Sequence, residues 1–219
     1  MTIKDNLQEI LTSIPKSVTL VAVSKTKPEK DIQEAYDAGQ RVFGENKIQE
    51  MTRKWENLPK DIQWHMIGHV QTNKVKYMAE YVSLVHGVDS LKLLKEINKQ
   101  AKKHNRIVDC LLQIHIAEED TKFGLDETEL KDLLNSDTFG KLQNIKVVGL
   151  MGMATFTDDK NQIRREFKHL KTQFDKLKAT LPKIDTLSMG MSGDYLIAIE
   201  EGSTMIRIGS SIFGERNYN

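Results

Sequence analysis

The sequence predicts a (β/α)8 TIM barrel with one extra N-terminal helix, a single domain over residues 1–219. Three observations carry this. Short apolar, β-branched runs alternate strictly with amphipathic stretches, as in a parallel sheet with helical crossovers. The alternation completes eight strand–helix units, enough to close a barrel. No G-x-G-x-x-G follows the first strand, which weakens the competing reading, an open doubly wound sheet.

The elements follow in order. Leu7, Ile10, Leu11 and Ile14 have helical spacing, and Pro15 ends that helix. Val18 to Val23 is nearly continuous apolar sequence, a strand buried on both faces. Pro28 to Ala38 is a short helix with Ile32, Ala35 and Tyr36 inward, stopped by Gly39. Arg41 to Phe43 is a brief strand, Ile48 to Trp55 a helix, and Ile62 to Ile67 a third strand. Thr72 to Glu80 is expected to be helical and Val82 to Val85 to be the fourth strand. Ser90 caps a helix carrying Leu91, Leu94, Ile97 and Ala101 on one face.

Ile107 to Ile116 is the fifth strand, and Asp126 with Glu129 begins a helix as a capping box. Ile145 to Met151 is the sixth strand. Asp158 or Asp159 opens the longest helix, and Pro182 follows its end. Thr186 to Met189 and Thr204 to Ile208 complete the eight strands. The loop Gly190 to Asp194 leads into a helix to Glu201, and Gly209-Ser210-Ser211 into a final turn.

Lys plus Arg number 32 against 31 for Asp plus Glu, so no net field draws in nucleic acid or an acidic membrane. The lone Cys110 lies in an apolar run, reads as core, and fits a reducing cytoplasm. The first residues lack the apolar core of a signal peptide, and no apolar run approaches membrane length. Neither nucleic acid nor a membrane is therefore expected as a partner.

In such a barrel, chemistry is placed where the strands end. The rim then collects Lys25, Asn46, His69, Lys122, Met151, Ser192 and the run Arg207 to Ser210. Lys25 follows a buried strand. A lysine there is either a snorkelling surface group or an amine lowered from its usual ~10.4 toward an imine-forming nucleophile. Gly190-Met191-Ser192-Gly193 and Gly209-Ser210 sit after strands seven and eight, where barrels commonly hold phosphate; alone, each reads equally as turn punctuation. Arg207, inside a buried strand, must point at something polar, either a core carboxylate or a ligand. The six histidines form no recognisable metal motif: His65 and His69 lie on strand and turn, and His115 reads as a hydrogen-bonded core residue.

The chain resembles the pyridoxal phosphate homeostasis proteins (the YggS/PROSC family), similar in fold to the N-terminal barrel of alanine racemase. The resemblance spans nearly the whole chain. It rests on Ala22-Val23-Ser24-Lys25-Thr26-Lys27-Pro28, Phe43-Gly44-Glu45-Asn46, Trp64 to Lys74, Lys122-Phe123-Gly124, Gly149-Leu150-Met151, Ser188 to Asp194 and Gly202 to Gly214. It implies pyridoxal 5′-phosphate as cofactor, in imine linkage with Lys25. It implies phosphate contacts from Ser192, Gly209 and Ser210, and Arg207 as partner of the pyridine nitrogen. Asn46, His69 and Met151 complete the expected cofactor site. The implied function is cofactor binding and homeostasis without catalytic turnover, by a cytoplasmic monomer that contacts pyridoxal phosphate-dependent apoenzymes transiently. An arginine at the pyridine nitrogen fits this, because an unprotonated ring is a poor electron sink. The alternatives are a small racemase or lyase using the same cofactor, and a cofactor-free Schiff-base aldolase.

Overall fold

The computed structural model describes residues 2–119 and 123–215; Lys122, expected at the rim, lies outside the described residues. Eight parallel strands close into a barrel in chain order. They are β1 Thr19–Val23, β2 Val42–Glu45, β3 Gln63–Met66, β4 Leu84–Val88, β5 Val108–Gln113, β6 Ile145–Met151, β7 Thr186–Ser188 and β8 Met205–Ile208. Closure is the β8–β1 pairing, which sets Leu20 opposite Ile206 and Val21 opposite Arg207. The helices are α1 Ile3–Ser13, α2 Glu29–Asp37, α3 Ile48–Asn57, α4 Leu91–Lys103, α5 Glu127–Asn135, α6 Lys160–Thr180, α7 Tyr195–Glu200 and α8 Ser210–Phe213.

The twofold period of a strand divides the apolar residues into two layers. On β1, Leu20 and Ala22 face the helices as part of the large outer core. Val21 faces inward and packs with Leu84, Leu111, Val148, Met151 and Met205, one or two residues from each of several strands. Gly149 lets β6 and β7 approach, since a Cβ there would stand 1.6 Å from the Thr186 carbonyl oxygen.

Helix starts follow their caps. The Asp126–Glu129 capping box is present, Ser90 Oγ accepts from the Leu93 N–H, and Asp159 rather than Asp158 caps α6. Several elements depart from expectation. β5 stops at Gln113 instead of Ile116, and β2 runs on to Glu45 instead of ending at Phe43. Thr72–Tyr77 is a 3₁₀ helix, not an α-helix to Glu80. It is a short bridge between β3 and β4, with Val75 turned into the core and an i→i+3 bond from the Lys74 N–H to the Gln71 carbonyl. β4 runs on to Val88 instead of ending at Val85: its register with β5 shifts across His86 and Gly87, which break the apolar run, and pairing resumes at Val88 opposite Leu112. Tyr36, read as inward, is only partly covered, and its hydroxyl donates to Asp61; Leu11, one of the helically spaced apolar residues of α1, is 40% exposed. Cys110 is fully buried and its thiol is pushed up by burial. No helix among the described residues is long and apolar enough to cross a membrane.

Candidate functional site

A cavity of about 630 Å³ opens at the C-terminal ends of the strands. Lys25, Asn46, His69, Ser192, Arg207, Gly209 and Ser210 all line it. Met151 does not. It is still within β6, opposite Gln113 and Ser188, and its side chain is buried in the inner apolar layer. The rim begins two residues later, and Met153 lines the cavity in its place.

Lys25 is half-buried just past the end of β1. Lys27, two residues on, is a second amine at the cavity wall, but its Nζ donates to the carbonyls of Phe213, Gly214 and Glu215 at 2.8–3.0 Å. It is thus committed to the end of α8. The loops after β7 and β8 meet where the Gly209 N–H donates to Ser192 Oγ at 3.4 Å. The first of these loops turns at Gly190, φ +98°, where a Cβ would also lie 2.6 Å from Ala198 Cβ. Asp194 Oδ1 accepts from the Met191 N–H and braces it. His69 stays at the rim, exposed, 3.3 Å from Asp89 and stacked on Phe123.

Arg207 forms part of the cavity floor. Its Nη1 donates to the Ser188 carbonyl at 2.9 Å and to Ser188 Oγ at 2.6 Å, and its Nη2 to the Gly152 carbonyl at 3.1 Å. Burial lowers it to about 10, with Asp194 opposing, so the guanidinium remains charged at neutral pH. Below it runs a polar chain absent from the sequence reading. Ser188 Oγ is 3.1 Å from His86 Nδ1, and His86 Nε2 is 3.1 Å from His65 Nδ1. Burial holds His65 down at about 3 and His86 well below its usual value, so both rings are neutral. His115, by contrast, is half-buried and reaches the Glu119 carbonyl. Among the described residues no group of three or more His, Cys, Asp or Glu is placed to hold a metal.

The site therefore sets an amine beside two hydroxyl-bearing, glycine-rich loops, over a buried cation. The sequence profile described as alanine racemase, N-terminal domain, matches residues 1–217. A pyridoxal phosphate homeostasis protein of Vibrio alginolyticus is 42% identical over 210 residues, 94% of this chain and 89% of its own. The chain belongs to the pyridoxal phosphate homeostasis protein family. A second member, from Pasteurella multocida, is 40% identical with both chains covered in full. The structure of PipY from Synechococcus elongatus with pyridoxal phosphate bound superposes with a TM-score of 0.89. It is 34% identical, covering 97% of this chain and all of that one. The family members are named for homeostasis and not for a catalysed reaction.

Two side chains at the back of the site also escaped the sequence reading. Glu45 ends β2 and Lys54 lies on α3, and both side chains are fully buried as an ion pair. A signal was present: Ile48, Met51 and Lys54 form the buried stripe of α3 at spacings of three, and the last is charged.

Proposed function

We propose that this chain is one barrel domain that binds pyridoxal 5′-phosphate and contributes to its intracellular homeostasis, with no catalytic turnover of its own. The observation that carries this is the shared cavity of the Lys25 amine, the Ser192, Gly209 and Ser210 loops and the buried Arg207 guanidinium. That donor set fits the cofactor end to end: an amine for its aldehyde, N–H and O–H donors for its phosphate, a cation for its ring nitrogen. When bound, the cofactor supplies an aldehyde that condenses with Lys25. Asn46 and His69, which line the same cavity, would border the cofactor's ring. Relatives named for the same homeostatic role, and one solved with pyridoxal phosphate, support the reading.

Arg207 keeps its proton at neutral pH, so it offers the ring nitrogen a hydrogen bond without protonating it. This suits storage and transfer better than carbanion chemistry. Phe156, 93% exposed, and Phe123, 56% exposed, stand at the mouth and offer a transient contact to apoenzymes that receive the cofactor. The chain acts as a cytoplasmic monomer in this reading.

The test is the absorbance spectrum of loaded protein before and after borohydride, followed by mass mapping of the modified lysine. Wild type is expected to show an imine band that reduction fixes on Lys25. Lys25→Ala is expected to lose the band, because Lys27 is held by three carbonyls. A full imine band in Lys25→Ala would refute the assignment.

A further inference from the structure

Behind Lys25, on the helix side of the barrel wall, lies a buried ionic cluster with no part in lining the cavity. Lys54 Nζ donates to Glu45 Oε1 at 2.8 Å, to Glu50 Oε1 at 2.7 Å and to the Ser24 carbonyl at 2.8 Å. Ser24 Oγ donates to the same Glu45 oxygen at 2.6 Å. The Lys54 and Glu45 side chains have no solvent exposure. A buried ion pair is commonly no more stabilising than apolar residues of similar volume. An apolar residue at position 54 would continue the Ile48–Met51 stripe, so the charge calls for a reason beyond stability.

The reason is in what the pair grips. Lys25 is flanked by two peptide groups, and each is held by one member of the Lys54–Glu50 pair. The Ser24 carbonyl, in the preceding peptide, accepts from Lys54 Nζ and from the Lys27 N–H at 3.0 Å. The Thr26 N–H, in the following peptide, donates to Glu50 Oε1 at 2.7 Å. Thr26 sits at φ 65°, the left-handed region that a β-branched residue avoids. Left alone, this turn would relax, and the Lys25 side chain would leave the barrel end in another direction.

We infer that Lys54 and Glu50 are positioning residues for Lys25, setting the approach of its amine to the aldehyde of a bound pyridoxal phosphate. This rests on the reading of Lys25 as the imine-forming lysine. In the step concerned, the Lys25 nitrogen bonds to the aldehyde carbon. The carbonyl oxygen leaves as water with the two amine hydrogens, and C=N remains. With the phosphate end anchored at Ser192 and Ser210, the amine must arrive from one direction. A clamp on both of its peptide groups supplies that orientation in advance.

The variants separate positioning from folding. Glu50→Ala removes the acceptor for Thr26 but leaves Lys54 and Glu45 as a balanced pair. Glu50→Gln keeps an acceptor. Glu45→Gln/Lys54→Met removes both fully buried charges together. Apo protein is mixed with pyridoxal 5′-phosphate and the imine absorbance is followed in time. Binding of pyridoxine 5′-phosphate, which carries an alcohol in place of the aldehyde, is measured in parallel. Imine formation is expected to slow tenfold or more in Glu50→Ala and in the double variant, and to recover to within threefold of wild type in Glu50→Gln. Pyridoxine 5′-phosphate affinity is expected to stay within twofold throughout. Wild-type imine rates in both Glu50→Ala and the double variant overturn the inference. So does an equal loss of rate and of pyridoxine 5′-phosphate affinity, which marks a general collapse of the mouth. If borohydride fixes the wild-type imine on another lysine, the Lys25 reading itself falls, a result distinct from both.

Discussion

Two buried polar networks flank the same barrel wall on opposite electrostatic plans. On the helix side, Lys54 lies within hydrogen-bonding distance of two carboxylates, Glu45 and Glu50, and the charges answer one another. Inside the barrel, Arg207 is joined to Ser188, His86 and His65, and of these only Arg207 is charged at neutral pH. Its hydrogen bonds end on two carbonyls and a hydroxyl. The outer network pairs its cation with carboxylates of the protein, although Glu45 Oε2 is buried with no hydrogen-bond partner among the described residues. The inner one keeps a cation at the floor of the cavity, where the proposed function sets it against a ring nitrogen. On the proposed reading, the difference separates charge used to hold backbone from charge held ready for a ligand.

The largest expected effect breaks the outer network. Lys54→Met strands Glu45 and Glu50 without their cation, and removing one partner of a buried pair costs about 3–5 kcal/mol. Arg207→Met strands two carbonyls and a hydroxyl but leaves no fully buried carboxylate behind. Its cost is expected to be smaller, roughly 1–3 kcal/mol. Chemical denaturation of the two variants side by side measures the contrast. If Arg207→Met proves the more damaging, the inner network is the structural one and the comparison is reversed.

Acid provides the next effect, and it acts on the two networks with opposite signs. For His65 the folded value, about 3, lies below the ordinary value of the unfolded chain. The unfolded state therefore binds more protons between the two values, and stability falls as pH drops from about 6.5 toward 3. The direction for His86 is the same. For His65 this is expected to cost about 1 kcal/mol between pH 7.5 and 5.5. Glu45 is shifted the other way, raised by burial despite Lys54. Its protonation favours the native state, and that contribution is lost as pH rises through the raised value. Nitrogen-detected spectra of the imidazoles give a direct check: His65 and His86 are expected not to titrate between pH 8 and 5 in folded protein. A midpoint near 6.5 for either would place it in contact with solvent.

The sequence exposed the barrel well because strands buried on both faces read as apolar runs. Ile145 to Met151 matches its strand at both ends, and the Asp126–Glu129 capping box marks its helix directly. Most of the cavity-lining residues, Lys25, Asn46, His69, Ser192, Gly209 and Ser210, were legible for the same reason, since they stand next to recognisable strand ends, while Met151 was placed at the rim although it is still inside β6. The two networks were not legible. His86 and Ser188 are 102 residues apart and meet only on closure, and the polar His86-Gly87 pair made β4 look finished at Val85. Arg207 was visible as a charge needing a polar partner, but local pattern could not name Ser188. Lys54 was hidden among the many lysines of solvated helix faces, and only its place in the buried stripe of α3 set it apart.

The smallest expected effect concerns the hydroxyl that joins Arg207 to the histidines. Ser188 Oγ accepts from Arg207 at 2.6 Å, so its own hydrogen is available to His86 Nδ1. His86 then carries its proton on Nε2 and donates it to His65 Nδ1 at 3.1 Å. That assignment satisfies every contact in the chain with both rings neutral. Ser188→Ala removes the hydroxyl but not the Ser188 carbonyl, and Arg207 keeps that acceptor and Gly152. The guanidinium should therefore hold its place, with pyridoxal 5′-phosphate affinity changed less than about threefold. The stranded Nδ1 is a buried acceptor without a donor, worth about 1 kcal/mol or a little more. The nitrogen spectrum reads the mechanism: wild type should show an unprotonated, hydrogen-bonded Nδ1 on His86, and Ser188→Ala should shift that resonance while leaving the Arg207 side-chain signal in place. A protonated Nδ1 in the wild type would mean that the hydroxyl accepts from both sides and the relay runs in the other direction. A lost Arg207 signal would make Ser188, not its carbonyl, the group that fixes the cation.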